Sequence, residues 1–358
     1  MTSRNLKNAI LRTATLLGAD TCFRNVNRRK LLVVMYHGIT EFRHDPPVWT
    51  QLPAEKFRSQ LEFLQRHYTL LSLGELVGAI RNGTSLPERA AMITFDDGLR
   101  NNYSVALPIL RELRVPATIF LTVDLVGSKE ILWVDELYLL LRQAAVRGGY
   151  PELRDRAARE HFRAGRVWQA YEIAVEDLKR SGMAERAYEM NRLRNTTPLA
   201  PDKRREDFEL LTWEEVKTMH RTGLVEFGVH TATHRIVSEL DEGEWDREII
   251  APRKKLEENL GTGIVSFCFP NGRPFVDFRP EHFDLLKKAG YACAFTTENA
   301  LFTWPGSDCM SIGRVPAGND ATSDPVTFRL NTSGALRFAK ELLAVSGVKG
   351  LIARTGER

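Results

Sequence analysis

The sequence predicts an α/β fold, a (β/α) barrel of seven or eight parallel strands, on three observations. Short apolar, β-branched runs alternate with helical stretches along most of the chain. Those runs are apolar at successive positions, as expected of strands covered on both faces by helices. Asp96, Asp97 and His230 fall at the ends of such runs, and parallel barrels carry their sites at C-terminal strand ends.

The first strand is Leu31-Leu32-Val33-Val34-Met35-Tyr36. A helix follows over 53–67, with Phe57, Leu61 and Leu64 at helical spacing. Residues 68–73 read as a strand and 74–81 as a short helix. The next strand is 91–95, with a helix through Leu113, and then a strand over 115–122 with Pro116 near its start. The rhythm resumes with a strand at 225–229 and a long charged helix over 242–260, ended by Gly261. A strand at 265–269, a helix at 280–289 stopped by Gly290, and strands at 292–296 and 310–312 complete the barrel. A helix over 333–344 closes it.

Residues 125–212 break the alternation. They are rich in Arg, Glu and Ala, with Leu137, Leu140 and Leu141, then Tyr171 and Leu178, at helical spacings. They read as a helical insertion, either a substrate-facing wall or lid, or a solvated excursion. The chain thus divides into an N-terminal helical segment (1–29), a barrel (30–124 and 213–320), the insertion, and a C-terminal helical segment (321–358).

With 358 residues, 43% hydrophobic and 27% charged, the chain can bury a large core. Its net charge of +4 is too slight to argue for nucleic acid, and no basic run is interleaved with aromatics. Cys22, Cys268, Cys293 and Cys309 form no C-x-x-C pair, which argues against a thiolate zinc site. They read as reduced thiols, which fits a reducing compartment. Near the N-terminus, Arg4, Lys7 and Arg12 interrupt Leu6, Ile10, Leu11, Leu16 and Leu17, without a small-residue cleavage site. This is not read as a secretory signal, and no run reaches the ~18 apolar residues of a membrane span. The segment reads as an amphipathic helix packed on the domain, with peripheral attachment to a membrane as the alternative. A cytoplasmic or inner-membrane-associated protein is expected.

The chemistry lies in two stretches, Thr94-Phe95-Asp96-Asp97-Gly98 and His230-Thr231-Ala232-Thr233-His234. Asp97 with His230 and His234 can hold a divalent metal while leaving positions for water and substrate. One carboxylate and two imidazoles suit Zn²⁺, and Co²⁺, Ni²⁺ or Fe²⁺ are compatible. Such an ion acidifies bound water and polarises a carbonyl. Asp96, beside a ligand, is placed to take the proton of the attacking water. Alone, Asp-Asp-Gly is usually a turn or cap, and H-x-x-x-H often two ordinary histidines. Both at predicted strand ends specify far more.

These two stretches resemble the first two motifs of the polysaccharide deacetylases, carbohydrate esterases of family four. That resemblance covers about residues 30–320 apart from the insertion. It implies a distorted (β/α) barrel, a divalent metal and an acetylated carbohydrate substrate. It also implies Asp96 as general base and Asp97, His230 and His234 as ligands. The third motif departs from the usual pattern: Phe267-Cys268-Phe269-Pro270-Asn271-Gly272 has Cys268 where many relatives carry an arginine. This variant is similar to exopolysaccharide deacetylases, and implies that the Asn271 N–H helps hold the oxyanion. Arg314 is the candidate to replace the missing arginine and orient Asp96, against the alternative of a surface arginine. Relatives usually end in a Leu-x-His whose histidine is the general acid, but no histidine follows His282. Val34-Met35-Tyr36-His37-Gly38 is similar to the start of the circularly permuted poly-N-acetylglucosamine deacetylases, which implies His37 as general acid. Phe302 and Trp304 could stack on a sugar or pack in the core.

The expected activity is metal-dependent removal of N-acetyl groups from an amino-sugar polysaccharide or its precursor. Three other readings stay open: a C–N hydrolase acting on a formamide or cyclic amide, an O-acetyl esterase, or a non-catalytic carbohydrate-binding or synthesis-complex protein.

Overall fold

The computed structural model describes residues 3–197, 199 and 203–345. Residues 1–2 and 346–358 of the two expected terminal segments therefore lie outside the described residues. Lys30–Tyr36 (β1), Ala90–Phe95 (β2), Ala117–Leu121 (β3), Val225–Val229 (β4), Ser266–Cys268 (β5) and Cys293–Phe295 (β6) pair in that order. Every pairing among them is parallel. Val315–Pro316 (β7) pairs parallel with β1, and nearby Ile312 bridges to Phe295 of β6, which closes the ring. At the opposite end, Thr69–Leu70 extends β2 on one side and Phe302–Thr303 runs antiparallel to the start of β1.

Period-two alternation along the strands makes two apolar layers. Leu32, Val34, Ile93, Ile119, Phe227 and Phe267 face outward, into the core shared with the surrounding helices. Leu31, Val33, Met92, Phe120, Cys268, Phe295 and Ile312 form a separate cluster inside the barrel. Continuing the inward phase by two residues from Thr94, Gly228 and Ile312 reaches Asp96, His230 and Arg314. The inward face thus changes from apolar to ionisable near the C-terminal strand ends.

Some elements differ from the sequence expectation. Residues 309–311 form a 3₁₀ turn rather than a strand, because the Asp308 carboxylate accepts from the Met310 N–H at 2.9 Å. The barrel instead closes a few residues later, at β7. The strand expected over 68–73 is confined to Thr69–Leu70, since a Ser72–Glu75 capping box starts the helix at Leu73. The charged helix over 242–260 is divided: a 3₁₀ turn and a π turn precede the regular helix Ala251–Leu260, which has Pro252 in its first turn. Pro325–Thr332 is a further helix, capped by Asp324.

The segment after β3 forms four main helices: Trp133–Val146 (α1), Arg156–Arg163 (α2), Val167–Arg180 (α3) and Met183–Thr196 (α4). Leu137, Leu140, Leu141, Tyr171 and Leu178 bury into a cluster of their own, joined by Val48 and Phe208. Among the described residues, no helix is long and apolar enough to cross a membrane.

Candidate active site

The strand ends bring five of the singled-out side chains into one ionic centre. Arg314 is fully buried. Its two terminal nitrogens donate to the two Asp96 carboxylate oxygens at 2.6 and 2.7 Å. Its Nε–H donates to the Thr296 carbonyl at 2.9 Å, while the remaining donors reach Thr94 Oγ1 at 3.3 Å and Cys268 Sγ at 3.1 Å. Every N–H of the guanidinium fork is thereby used. Arg314 thus reaches the carboxylate expected to need orienting, and Cys268 serves it as a sulfur acceptor.

Burial alone would push the Asp96 carboxyl up, but the Arg314 guanidinium reverses this and holds it well below the usual carboxylate range. Burial pushes the Cys268 thiol well up, so it stays protonated.

Asp97 sits in the left-handed region at φ 73°. The turn also needs Gly98, at φ 77°, where a Cβ would meet Leu121 Cδ2 at 2.5 Å. Asp97 Oδ1 lies 3.5 Å from His230 Nε2 and 3.3 Å from His234 Nε2, yet, although buried, it has no hydrogen-bond partner among the described residues. His230 Nδ1 lies 2.8 Å from the Cys268 carbonyl. That bond assigns the proton to Nδ1 and leaves Nε2 as a bare nitrogen toward Asp97. Burial pulls the His230 imidazole down to about 4, so it is neutral at pH 7. His234 and Thr231 also have positive φ, 62° and 59°. Non-glycine residues held there cluster at functional sites.

The donor set fits a divalent cation. One carboxylate oxygen and two imidazole nitrogens lie within 4.8 Å of one another, and the orphaned Asp97 oxygen is the atom facing both rings. A second grouping, Asp96, His230 and Cys268, is equally compact. It is the poorer cation site, because the Arg314 cation already occupies Asp96 and the thiol keeps its proton.

His37 follows β1, and its carbonyl accepts from Asn102 Nδ2 at 2.7 Å. The ring packs edge-on against Trp49, with centroids 4.9 Å apart. It is near enough to both Asp96 and Asp97 to interact with each electrostatically. Asn271 has φ 58°, a conformation asparagine tolerates. Its carbonyl accepts from Thr297 Oγ1 at 2.6 Å, while its N–H has no partner among the described residues. A free amide at this strand end can receive a developing oxyanion.

Phe302 and Trp304 are elsewhere. Phe302 is buried beside the first residues of β1, and the Trp304 indole donates to the Thr84 carbonyl at 2.9 Å. An aromatic residue that packs on His37 is Trp49, which carried no sequence signal. Asp135 was missed as well: on α1 of the insertion, it is fully buried and close enough to Asp97 to feel its charge.

A family model described as polysaccharide deacetylase matches residues 83–294. Poly-beta-1,6-N-acetyl-D-glucosamine N-deacetylase of Escherichia coli is 34% identical over 84 residues, 22% of this chain and 12% of that protein. The Bacillus subtilis protein YxkH is 28% identical over 109 residues, 30% of this chain and 37% of its own length. The matched parts thus span well under half of these relatives. Among solved structures, IcaB from Ammonifex degensii superposes with a TM-score of 0.55 at 19% identity, covering 85% of this chain and 97% of that one. A polysaccharide deacetylase from Bacillus cereus gives 0.54 at 19% identity, over 85% and 69%. At such identities the superpositions speak for the shared fold.

Proposed function

Because the chain belongs to the polysaccharide deacetylase family, we propose that it hydrolyses the acetamide C–N bond of N-acetylated sugars in a glycan or glycan precursor, releasing acetate. The observation that carries this reading is the orphaned Asp97 oxygen facing His230 and His234, beside an Asp96 clamped by Arg314. Asp97, His230 and His234 would hold a divalent cation, zinc by donor type. When bound, such an ion polarises the acetyl carbonyl and acidifies water, which a carboxylate as weakly basic as Asp96 requires.

The chain's own groups supply the rest. Arg314 keeps Asp96 ionised and fixes both oxygens, so Asp96 accepts the proton of the attacking water. The Asn271 N–H donates to the oxygen on which negative charge develops. His37 gives a proton to the nitrogen as the C–N bond breaks, so the products are acetate and a free amino sugar. An N-acetylglucosamine polymer is the first substrate to try, given the Escherichia coli relative.

Acetate release from β-1,6-linked N-acetylglucosamine oligomers, measured before and after chelation and zinc replacement, tests the reading. Wild-type turnover should vanish on stripping and return with zinc. Asp96→Asn should lower turnover by about 10²–10⁴-fold while retaining near-normal metal content. Undiminished acetate release by Asp96→Asn would refute the assignment.

A further inference from the structure

The insertion gives the centre a second wall, and that wall carries space the hydrolytic step does not use. Trp49, whose ring packs on His37, borders with Thr50 a cavity of about 260 Å³. Its far side is α3, which contributes Trp168, Tyr171, Glu172 and Lys179. Trp168 and Tyr171 are three residues apart on that helix, with ring centroids 5.0 Å apart and planes tilted by only 32°. Trp168 is half-buried and turns part of its ring to the cavity, while Tyr171, mostly buried in the core of the insertion, backs it. Thr50 Oγ1 lies 3.4 Å from the buried Asp135 carboxylate, so the floor of the cavity is polar.

Trp168 also borders a second, larger groove of about 970 Å³. This groove runs between α3 and the start of the helix Pro325–Thr332, past Arg43, Lys56, Asn319 and Asp320. The Asn319 N–H donates to the Trp49 carbonyl at 2.9 Å. The two spaces are therefore adjacent, with Trp168 on one side and the Trp49–Asn319 link on the other.

We propose that the two spaces form a track for a glycan chain: the sugar next to the reacting one lies against Trp168, which Tyr171 supports from within the core, and further units continue into the larger groove. The occupant rests on the deacetylase reading above. A pyranose offers an apolar C–H face and a hydroxyl rim. Aromatic planes take the face, and carboxylate, ammonium and amide groups take the rim. Cavities of roughly 300–1,000 Å³ hold drug-sized ligands, so the smaller space suits one ring and the larger one several. The charged lining disfavours a lipid chain. The insertion thereby makes the enzyme a reader of polymers rather than of single sugars.

The test separates binding from turnover. Affinity for N-acetylglucosamine and for its β-1,6-linked tetramer is measured calorimetrically on wild type, Trp168→Ala and Trp168→Tyr, with acetate release followed in parallel. The tetramer should bind wild type at least about tenfold tighter than the monomer, and Trp168→Ala should weaken tetramer binding by about tenfold, the worth of one aromatic stack. In turnover this appears in KM, with kcat little changed. Trp168→Tyr, which keeps a ring, should recover most of the affinity, which distinguishes stacking from a folding defect. Equal affinity for monomer and tetramer, or tetramer binding unaffected by Trp168→Ala, would overturn the track. Length-dependent binding through Trp168 without acetate release would uphold the track and overturn the hydrolytic reading alone.

Discussion

The strand-end centre and the helical insertion are held together by opposite means. At the strand ends the decisive contacts are ionic and buried: Arg314 and Asp96 are essentially without solvent exposure, and their hydrogen bonds are used within the protein. In the insertion the hydrophobic cluster is apolar, and most of its ion pairs lie at the periphery. Arg154 reaches Asp177, and Arg194 reaches Glu136, in pairs whose arginines are partly exposed to water. The contrast says where a substitution will hurt. Removing one member of a buried pair leaves an uncompensated charge in a low-dielectric interior, whereas an exposed pair contributes about 0–1 kcal/mol.

Arg314→Met is the strongest way to break this comparison. It keeps a long side chain but strips Asp96 of its counter-ion, and Thr296 and Thr94 of their donor. The expected cost is about 3–5 kcal/mol, read as a lower urea midpoint, with acetate release falling in parallel. A variant that unfolds and turns over like wild type would show that the clamp neither stabilises nor orients Asp96.

Leu140→Ala makes the complementary cut. Leu140 is buried in the separate core of the insertion. Truncation should cost about 2–5 kcal/mol of local stability. Because that core is distinct from the one around the barrel, amide exchange should accelerate in α1 and α3 far more than in β1 and β2. Equal acceleration in both regions would mean that insertion and barrel open as one unit.

The same contrast explains what the sequence could reveal. Strand-end chemistry was legible because each motif is local: Asp96 and Asp97 terminate one apolar run, and His230 terminates another. The sequence pattern puts a closing strand at 310–312, where Met310 and Ile312 are apolar, because the capping of Met310 by Asp308 is a side-chain event that hydrophobicity does not register. Arg314 could be nominated only as a stand-in for the arginine that the resemblance leads one to expect, since its carboxylate partner lies 218 residues away and the inward phase uniting them belongs to the closed barrel. Trp49, Trp168 and Asp135 were illegible for the same reason. Helical spacing marks the apolar stripe of an insertion, and says nothing of what its other residues face once it folds against the loop at 44–51.

Asp135 departs furthest from the contrast, and it supplies the smallest test. It is a carboxylate buried like those of the centre, but it lies in the insertion. Thr50 donates to one of its oxygens at 3.4 Å, and the other oxygen has no hydrogen-bond partner among the described residues. Burial first, and then the negative charge of Asp97, push its carboxyl well above the ordinary value. A raised pKa means that the folded protein keeps a proton which the unfolded chain releases. The stability associated with this group is therefore complete below the unfolded value of about 3.9 and declines as pH rises toward the folded one. Asp135→Asn preserves the shape without a titrating proton. It should raise Tm modestly at pH 7, with the gain shrinking as pH is lowered toward 4, as thermal melts across that range would record. A gain independent of pH would mean that Asp135 holds no extra proton. A lower Tm at pH 7 would mean that the carboxylate is ionised and has found a cation, which would make the insertion resemble the strand ends after all.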